Sequence, residues 1–103
     1  MNLFDQIPKT APDELFTTLL LAERVRIERI VSFGQKSPEE FWYDQQENEW
    51  ILLLEGTATL DFEKGYPANL KPGDHLNIPS GMRHRVKKTD ETVRTVWLAV
   101  FYK

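Results

Sequence analysis

Hydrophobic and polar residues alternate along much of the chain with the two-residue period that is typical of β-strands. Residues 24–32, 57–62 and 75–79 show this alternation most clearly. Turn-forming glycines and prolines separate the patterned stretches, as at residues 64–67 and 71–74. We count seven to nine short strands and almost no helix. Strands that follow one another every 8–12 residues or so predict an all-β sandwich or barrel.

The strand predicted for residues 49–56 differs from the others, because a single carboxylate stands at its start. Glu49 precedes an apolar run that ends at Gly56. Ile51 and Leu53 share the side of Glu49, and the residues between them are also apolar, so we expect a strand that is buried on both faces. A carboxylate on such a strand needs an ionic partner, a proton or a metal.

The beginning of the chain carries weaker patterns. Two prolines, Pro8 and Pro12, and the lack of periodicity predict an extended arm over residues 1–12. Asp13 is placed to cap a short helical turn over residues 14–16. The stretch that follows suits a strand or a helix equally, because it combines threonines with three consecutive leucines.

Arg29 interrupts the apolar face of the strand predicted for residues 24–32. We expect its side chain to point into the interior of the fold, since it shares the parity of three apolar residues, Val25, Ile27 and Val31. There it could contact an anionic ligand, or form a salt bridge with Glu47 or Glu49. Residues 41–43, Phe-Trp-Tyr, are predicted to begin the strand before Glu49.

Composition excludes several classes of function. The 103 residues predict one domain, residues 1–103. The absence of cysteine excludes disulfides, thiolate nucleophiles and zinc–thiolate sites. A net charge of −3 disfavours nucleic-acid binding, which depends on neutralising phosphates. No apolar run approaches the ~20 residues of a membrane span. The N-terminus also lacks the features of a signal peptide, so we expect a cytoplasmic protein that binds no membrane.

Two segments resemble the motifs of the cupin family. The first cupin motif has a His-x-His pair, then a Glu, and then a Gly after six further residues; Glu49 and Gly56 have this spacing here. The second motif runs Gly, five residues, Pro-x-Gly, two residues and His, and its counterparts are Gly73, Pro79, Gly81 and His84. The resemblance implies a jelly-roll barrel of short antiparallel strands, commonly a homodimer.

The chain departs from the cupin motifs at the metal-binding positions. Where the family has its His-x-His pair, this chain has Tyr43-Asp44-Gln45, so that only Glu49 and His84 remain of the four usual ligands. The resemblance implies a divalent metal such as iron, manganese, nickel or zinc, held weakly by Gln45, Glu49 and His84. The alternative is a metal-free pair in which Glu49 and His84 hydrogen-bond to each other.

Other residues near the variant motif are candidates for binding a ligand. Tyr43 is better suited to hydrogen-bond a ligand than to hold a metal, because the pKa of a phenol is about 10. Trp42 lies beside it in sequence, and Arg29 could contact an anion. His75 alternates with two apolar residues, so we expect it to face outwards.

Two functions are consistent with the sequence. The first is a small-molecule-binding cupin with a weakly bound divalent metal; if it is an enzyme, the resemblance implies dioxygenase or isomerase chemistry. The second is a metal-free ligand-binding or regulatory module without catalytic activity. A homodimer is expected from the resemblance and from aromatic residues near both ends of the chain, namely Phe4, Phe16, Phe101 and Tyr102.

Overall fold

The computed structural model describes residues 2–103, and Met1, the first residue of the predicted arm, lies outside them. The described chain is all-β, and none of it forms a helix long and apolar enough to cross a membrane. It contains eight strands: β1 (Leu15–Leu21), β2 (Val25–Ser32), β3 (Asn48–Glu55), β4 (Ala58–Phe62), β5 (Ala68–Leu70), β6 (His75–Ile78), β7 (His84–Thr89) and β8 (Thr95–Tyr102).

The strands form two antiparallel sheets that share one core. The larger sheet has the order β1-β2-β8-β3-β6, and the smaller has the order β5-β4-β7. Both sheets contribute side chains to the core, which comprises Ile51, Leu53, Ala58, Leu60, Leu70, Ile78, Trp97, Ala99 and Phe101. The architecture confirms the predicted barrel of short antiparallel strands.

Strand β3 lies between β8 and β6 in the larger sheet, and its two faces differ. Glu49, Ile51 and Leu53 are buried on the inner face, as their alternation predicted. Trp50 and Leu52 are only half-buried on the outer face. The expectation of a strand buried on both faces is therefore met on the inner face alone.

Gly56 directly follows β3, and a residue with a Cβ cannot readily replace it. Its φ of +80° is a conformation that side chains with a Cβ rarely adopt. A Cβ at this position would lie 2.3 Å from Oγ1 of Thr95, because β8 begins directly beside the turn. The glycine that completes the first motif thus allows the two strands to approach closely.

Two predictions about local structure are wrong. The helical turn predicted over residues 14–16 is absent, because β1 begins at Leu15 and pairs with Val31 of β2. Pairing with a whole neighbouring strand outweighs the local preference that a capping residue such as Asp13 creates. Residues 41–43 form no strand either; Tyr43 makes only an isolated bridge.

Arg29 lies on the outer face of β2, which corrects the inward orientation predicted for it. Its Nη1 donates hydrogen bonds to the backbone carbonyls of Leu3 (3.0 Å) and Asp5 (2.8 Å). The side chain therefore holds the N-terminal arm against the sheet. The parity argument failed because the more apolar face of β2 is the outer one, and the N-terminal arm contacts Arg29 there.

Candidate functional site

The candidate site is a cavity between the two sheets, and Glu49 is one of its buried carboxylates. Glu49 is paired across the sheet with Phe101 on β8 and Ile78 on β6, and only 8% of the residue is exposed. Both neighbours also line the cavity. The β3 strand thus directs a carboxylate into apolar surroundings, where its charge needs partners.

His84 is the first of these partners. The residue begins β7, opposite Phe62 of β4, and is 4% exposed. Its Nδ1 lies 2.9 Å from the carbonyl oxygen of Met82, and its Nε2 lies 3.4 Å from Oε1 of Glu49. The Met82 carbonyl accepts a hydrogen bond from the Nδ1–H group, and Nε2 is the nitrogen that faces the carboxylate.

The environment of His84 raises the pKa of its imidazole above 6.5. Burial alone would lower this pKa, but hydrogen bonds to Glu49 and to the Met82 carbonyl, together with the charge of Glu49, outweigh the burial. The contacts therefore favour an imidazolium that donates to the carboxylate. Glu49 and His84 lie close together, as both the metal-bound and the metal-free alternatives require.

Gln45 is the second partner of the carboxylate. Its Nε2 donates a hydrogen bond of 2.9 Å to Oε1 of Glu49. The backbone nearby is fixed by a hydrogen bond from the amide of Gly81 to the carbonyl of Gln45, also 2.9 Å. The loop before β3 and the turn before β7 therefore hold each other, and together they position Gln45 and His84 around Glu49.

Tyr43 completes this group of residues. Its ring stacks on the imidazole of His84 with centroids 5.5 Å apart, and two backbone hydrogen bonds join the same residues. Burial raises the pKa of the Tyr43 phenol, and the charges of Glu14 and Glu49 raise it further. The phenol therefore keeps its proton at neutral pH and is suited to donate a hydrogen bond.

Glu14 is a cavity residue that no pattern in the sequence identifies as part of a site. Its carboxylate accepts a hydrogen bond from Oγ of Ser32, which in turn accepts one of 3.1 Å from Nε1 of Trp97. Burial raises the pKa of Glu14, and the hydrogen bond from Ser32 opposes this only in part. No motif marks the residue, because its neighbours come from β2 and β8, which are distant in sequence.

The cavity has a volume of ≈130 Å³ and is mainly apolar. Its polar lining residues are Glu14, Tyr43, Gln45, Glu49 and His84. Its apolar lining residues are Phe16, Ile30, Ile51, Leu60, Ile78, Val86, Trp97 and Phe101. An apolar enclosure with a few convergent polar groups is the usual composition of a small-molecule site.

Three other candidate residues lie away from this cavity. Arg29 binds the N-terminal arm, as described above. Trp42 is not among the lining residues, and the guanidinium carbon of Arg85 lies 5.3 Å from the centre of its ring. His75 is exposed on the outer face of the larger sheet, where it packs beside Trp50.

The residues present do not match the usual donor set of a transition-metal site. Such sites have at least three strong protein ligands, and no three His, Cys, Asp or Glu side chains converge anywhere in residues 2–103. Only Glu49 and His84 are strong donors, and they contact each other. The third predicted ligand, Gln45, directs its N–H towards the carboxylate. Each polar group already has a protein partner.

The fold and the sequence together define the class of protein. The cupin domain profile matches residues 30–101, so the chain belongs to the cupin family. No curated protein matches the chain in sequence. Several solved structures are similar to it.

One similar structure is a proposed mannose-6-phosphate isomerase from Ralstonia eutropha JMP134. It is 45% identical, with a TM-score of 0.96, and the match covers 100% of this chain and 96% of that one. A cupin with a double-stranded β-helix fold from Methanocaldococcus jannaschii has 20% identity and a TM-score of 0.72, over 94% of this chain and 86% of the other. A DMSP lyase from Ruegeria pomeroyi DSS-3 has 21% identity and a TM-score of 0.74, over 87% of this chain and 47% of the other.

Proposed function

We propose that this cupin binds a small organic molecule in the cavity between its sheets, and that it does so without a metal. The observation that carries the proposal is a buried carboxylate, Glu49, whose two protein partners hold it at the edge of a ≈130 Å³ space. A barrel that served only as a scaffold would fill this space with apolar side chains. Polar groups kept around a cavity support a ligand site.

Each polar residue has a separate part in this proposal. Glu49, fixed by Gln45 and His84, accepts hydrogen bonds from the ligand through the oxygen that faces the cavity. Tyr43 donates a hydrogen bond, because its raised pKa keeps the phenol protonated. The apolar walls exclude water and strengthen both contacts.

A comparison of two cavity-filling substitutions tests the proposal. Chelator-treated protein is screened against a library of fragment-sized compounds by ligand-observed NMR, and hits are repeated on Val86→Phe, which fills the cavity. The control is Val93→Phe, since Val93 is 55% exposed in the loop before β8 and does not line the cavity. We expect hits that lose binding at least about tenfold in Val86→Phe and keep it in the control. Equal binding to both variants, or no hits, contradicts the proposal.

The alternative is a divalent metal held by Gln45, Glu49 and His84. It predicts that hits bind only after iron, manganese, nickel or zinc is restored. It also predicts about one equivalent of metal in protein purified without chelator, and none in His84→Ala. Our proposal predicts less than about a tenth of an equivalent of metal, and the same hits before and after reconstitution.

We also propose that a second copy of the chain covers the outer face of the larger sheet. This outer face presents half-buried apolar residues on three adjacent strands, β2, β8 and β3, including Ile27, Leu98, Val100, Trp50 and Leu52. A face of this kind can pair with itself about a two-fold axis. Of the aromatic residues near the ends of the chain, Phe4 and Phe16 are exposed, whereas Phe101 is buried and takes no part; Phe16 also lines the cavity, as Phe101 does.

A further inference from the structure

Acidic side chains outnumber basic side chains around the cavity. Two of its lining residues, Glu14 and Glu49, carry carboxylates, and His84, the one ionisable base among its lining residues in 2–103, is already paired with Glu49. Within the described chain, no Lys or Arg lines it. An anionic ligand would therefore enter apolar surroundings beside two like charges, with no free cation to meet it.

The nearest arginine in the larger sheet does not change this balance. Arg26 forms ion pairs with Glu28 (2.9 Å) and Glu47 (3.2 Å), so its charge is already compensated. Its guanidinium carbon lies 4.2 Å from the centre of the Phe101 ring. One face of the Phe101 ring therefore already contacts a cation of the protein, and Arg26 has no free charge for a ligand.

Glu14 is the carboxylate whose charge remains uncompensated. Within residues 2–103, its only hydrogen-bond donor is Ser32, and it takes part in no ion pair. Burial raises its pKa, as expected for an acid that lacks a cationic partner. A positively charged ligand would supply that partner and would restore the ionised form.

Aromatic rings make up much of the remaining wall. Phe16, Tyr43, Trp97 and Phe101 line the same cavity as the two carboxylates. The faces of such rings attract cations, and rings combined with carboxylates are the usual surroundings of methylated ammonium groups. The cavity contains few hydrogen-bond acceptors for a ligand rich in hydroxyl groups, since most of its lining is apolar.

The size of the cavity limits the ligand further. A volume of ≈130 Å³ is slightly below that of an engineered cavity of about 150 Å³ that holds benzene in another protein. A ligand of about six or seven non-hydrogen atoms fits such a space. A sugar phosphate such as mannose 6-phosphate is much larger and is doubly negative. Neither its size nor its charge suits this cavity, although the name given to the Ralstonia protein includes it.

We infer that the ligand is a small methylated ammonium ion, bound between Glu14 and Glu49 with its methyl groups against the aromatic wall. This inference rests on the proposed function, because it assigns a chemical class to the ligand of the same cavity. Glu14 supplies the charge, and the rings of Phe16 and Trp97 replace the water that surrounds the ion in solution. Neutral and anionic molecules of the same shape bind more weakly.

A pair of compounds with the same shape tests the inference directly. Choline and 3,3-dimethylbutan-1-ol differ only by nitrogen in place of carbon, and therefore by one positive charge. Isothermal titration calorimetry and NMR on the full chain at neutral pH measure the affinity of each, with inorganic phosphate as an anionic probe. We expect choline to bind at least about tenfold more tightly than its neutral isostere, and phosphate not to bind.

Two matched variants identify the carboxylate responsible. Glu14→Gln keeps an acceptor for Ser32 but removes the charge, so choline binding should weaken about tenfold while the neutral compound changes less than about twofold. Asp13→Asn removes the same charge from the adjacent exposed residue and should leave both affinities unchanged. Thermal unfolding of both variants checks that they are folded.

The results separate this inference from the function on which it rests. Equal affinity for choline and its isostere, or unchanged choline binding in Glu14→Gln, overturns the assignment of a cationic ligand. So does the absence of choline binding at concentrations up to about 50 mM. If neutral compounds bind in the cavity while choline does not, the ligand class is wrong and the proposed function stands. If no compound of any charge binds there, both are wrong.

Discussion

The inner and outer faces of the larger sheet differ in polarity and in exposure, and the two properties are combined in an unusual way on each face. The inner face carries polar groups, including Glu49 and Ser32, yet these are buried. The outer face carries Trp50, Leu52 and Val100, yet these are half-exposed. The inner polar groups Glu49 and Ser32 are tolerated because each has a hydrogen-bond partner, whereas the outer apolar groups remain half-exposed in the single chain.

This difference shows what the hydrophobic pattern of a strand can indicate. On β2 the more apolar parity leads to the outer face, while the more polar parity leads to the cavity. Apolar alternation therefore identifies a face that avoids water, and it does not identify the face that holds the site. Polar residues on the other parity, such as Ser32, mark the site once their partners are known.

The largest expected effect concerns the outer face, where we predict that a charge dissociates the dimer. Leu52→Glu would place a carboxylate in the centre of the proposed interface, and burying it without a partner costs several kcal/mol or more. Light scattering at about 100 μM should give a dimeric mass for the natural protein and a monomeric mass for the variant.

Tyr66→Glu is the matched control for this experiment. Tyr66 is 93% exposed and lies on the turn between β4 and β5, away from the outer face. The control should remain dimeric. A monomeric mass for the natural protein at the same concentration would contradict the proposal that a second copy covers the outer face.

The next largest effect is a difference in stability between substitutions of two neighbouring leucines on opposite faces of β3. Leu53 is fully buried, so Leu53→Ala should lower the free energy of unfolding by about 2–5 kcal/mol. Leu52 is half-buried in the single chain, and Leu52→Ala should cost about 1 kcal/mol when the protein is monomeric. Urea unfolding at low protein concentration measures both values. Equal losses would show that the two faces do not differ in packing.

A smaller effect depends on pH and on the Glu49–His84 pair. The pKa of His84 is raised in the folded protein, so the stabilisation from this pair is complete below about pH 6.5 and is lost as the pH rises through the folded pKa. Glu49→Gln should therefore be less stable than the natural protein by about 1–2 kcal/mol near pH 6, with a smaller deficit above the folded pKa.

Urea unfolding between about pH 5.5 and 9, with NMR titration of the His84 ring, measures this dependence. The NMR titration should also show a lower pKa for His84 in Glu49→Gln. A stability deficit that is the same at every pH would mean that the charge on His84 does not contribute.

The smallest effect has the opposite sign and concerns Glu14. Its raised pKa means that its ionised form is disfavoured by folding, so its unfavourable contribution develops as the pH rises above its unfolded pKa of about 4.5. Glu14→Gln should therefore melt at a higher temperature than the natural protein at pH 7, with the difference shrinking near pH 4. A lower melting temperature at pH 7 would indicate that Glu14 already has a favourable partner.

The fold could be predicted from the sequence because local patterns repeat in it. The alternation in β3, β4 and β6 follows directly from strand geometry, and the spacing of Glu49, Gly73 and His84 resembles that of the cupin motifs. Gly56 was identified by spacing alone, and the close approach of Thr95 explains why a glycine is needed there.

The site was harder to predict, because its residues meet through strand pairing. Glu14 comes to the cavity only because β1 pairs with β2, which no local pattern encodes. The alternation in β2 predicts that Arg29 points inwards. This prediction is wrong because a strand pattern does not reveal which face the N-terminal arm contacts. The number of metal donors could be counted in sequence, but the direction of the Gln45 amide could not.

The three tryptophans offer the most direct test of the central claim, that the cavity binds a small molecule without a metal. Trp97 lines the cavity, Trp50 lies on the outer face, and Trp42 lies at neither position. In ¹⁵N-labelled, chelator-treated protein titrated with choline, we predict that the indole N–H signal of Trp97 shifts and saturates while that of Trp50 stays in place. A shift of Trp50 alone, or a shift of Trp97 only after metal is added, would contradict the claim.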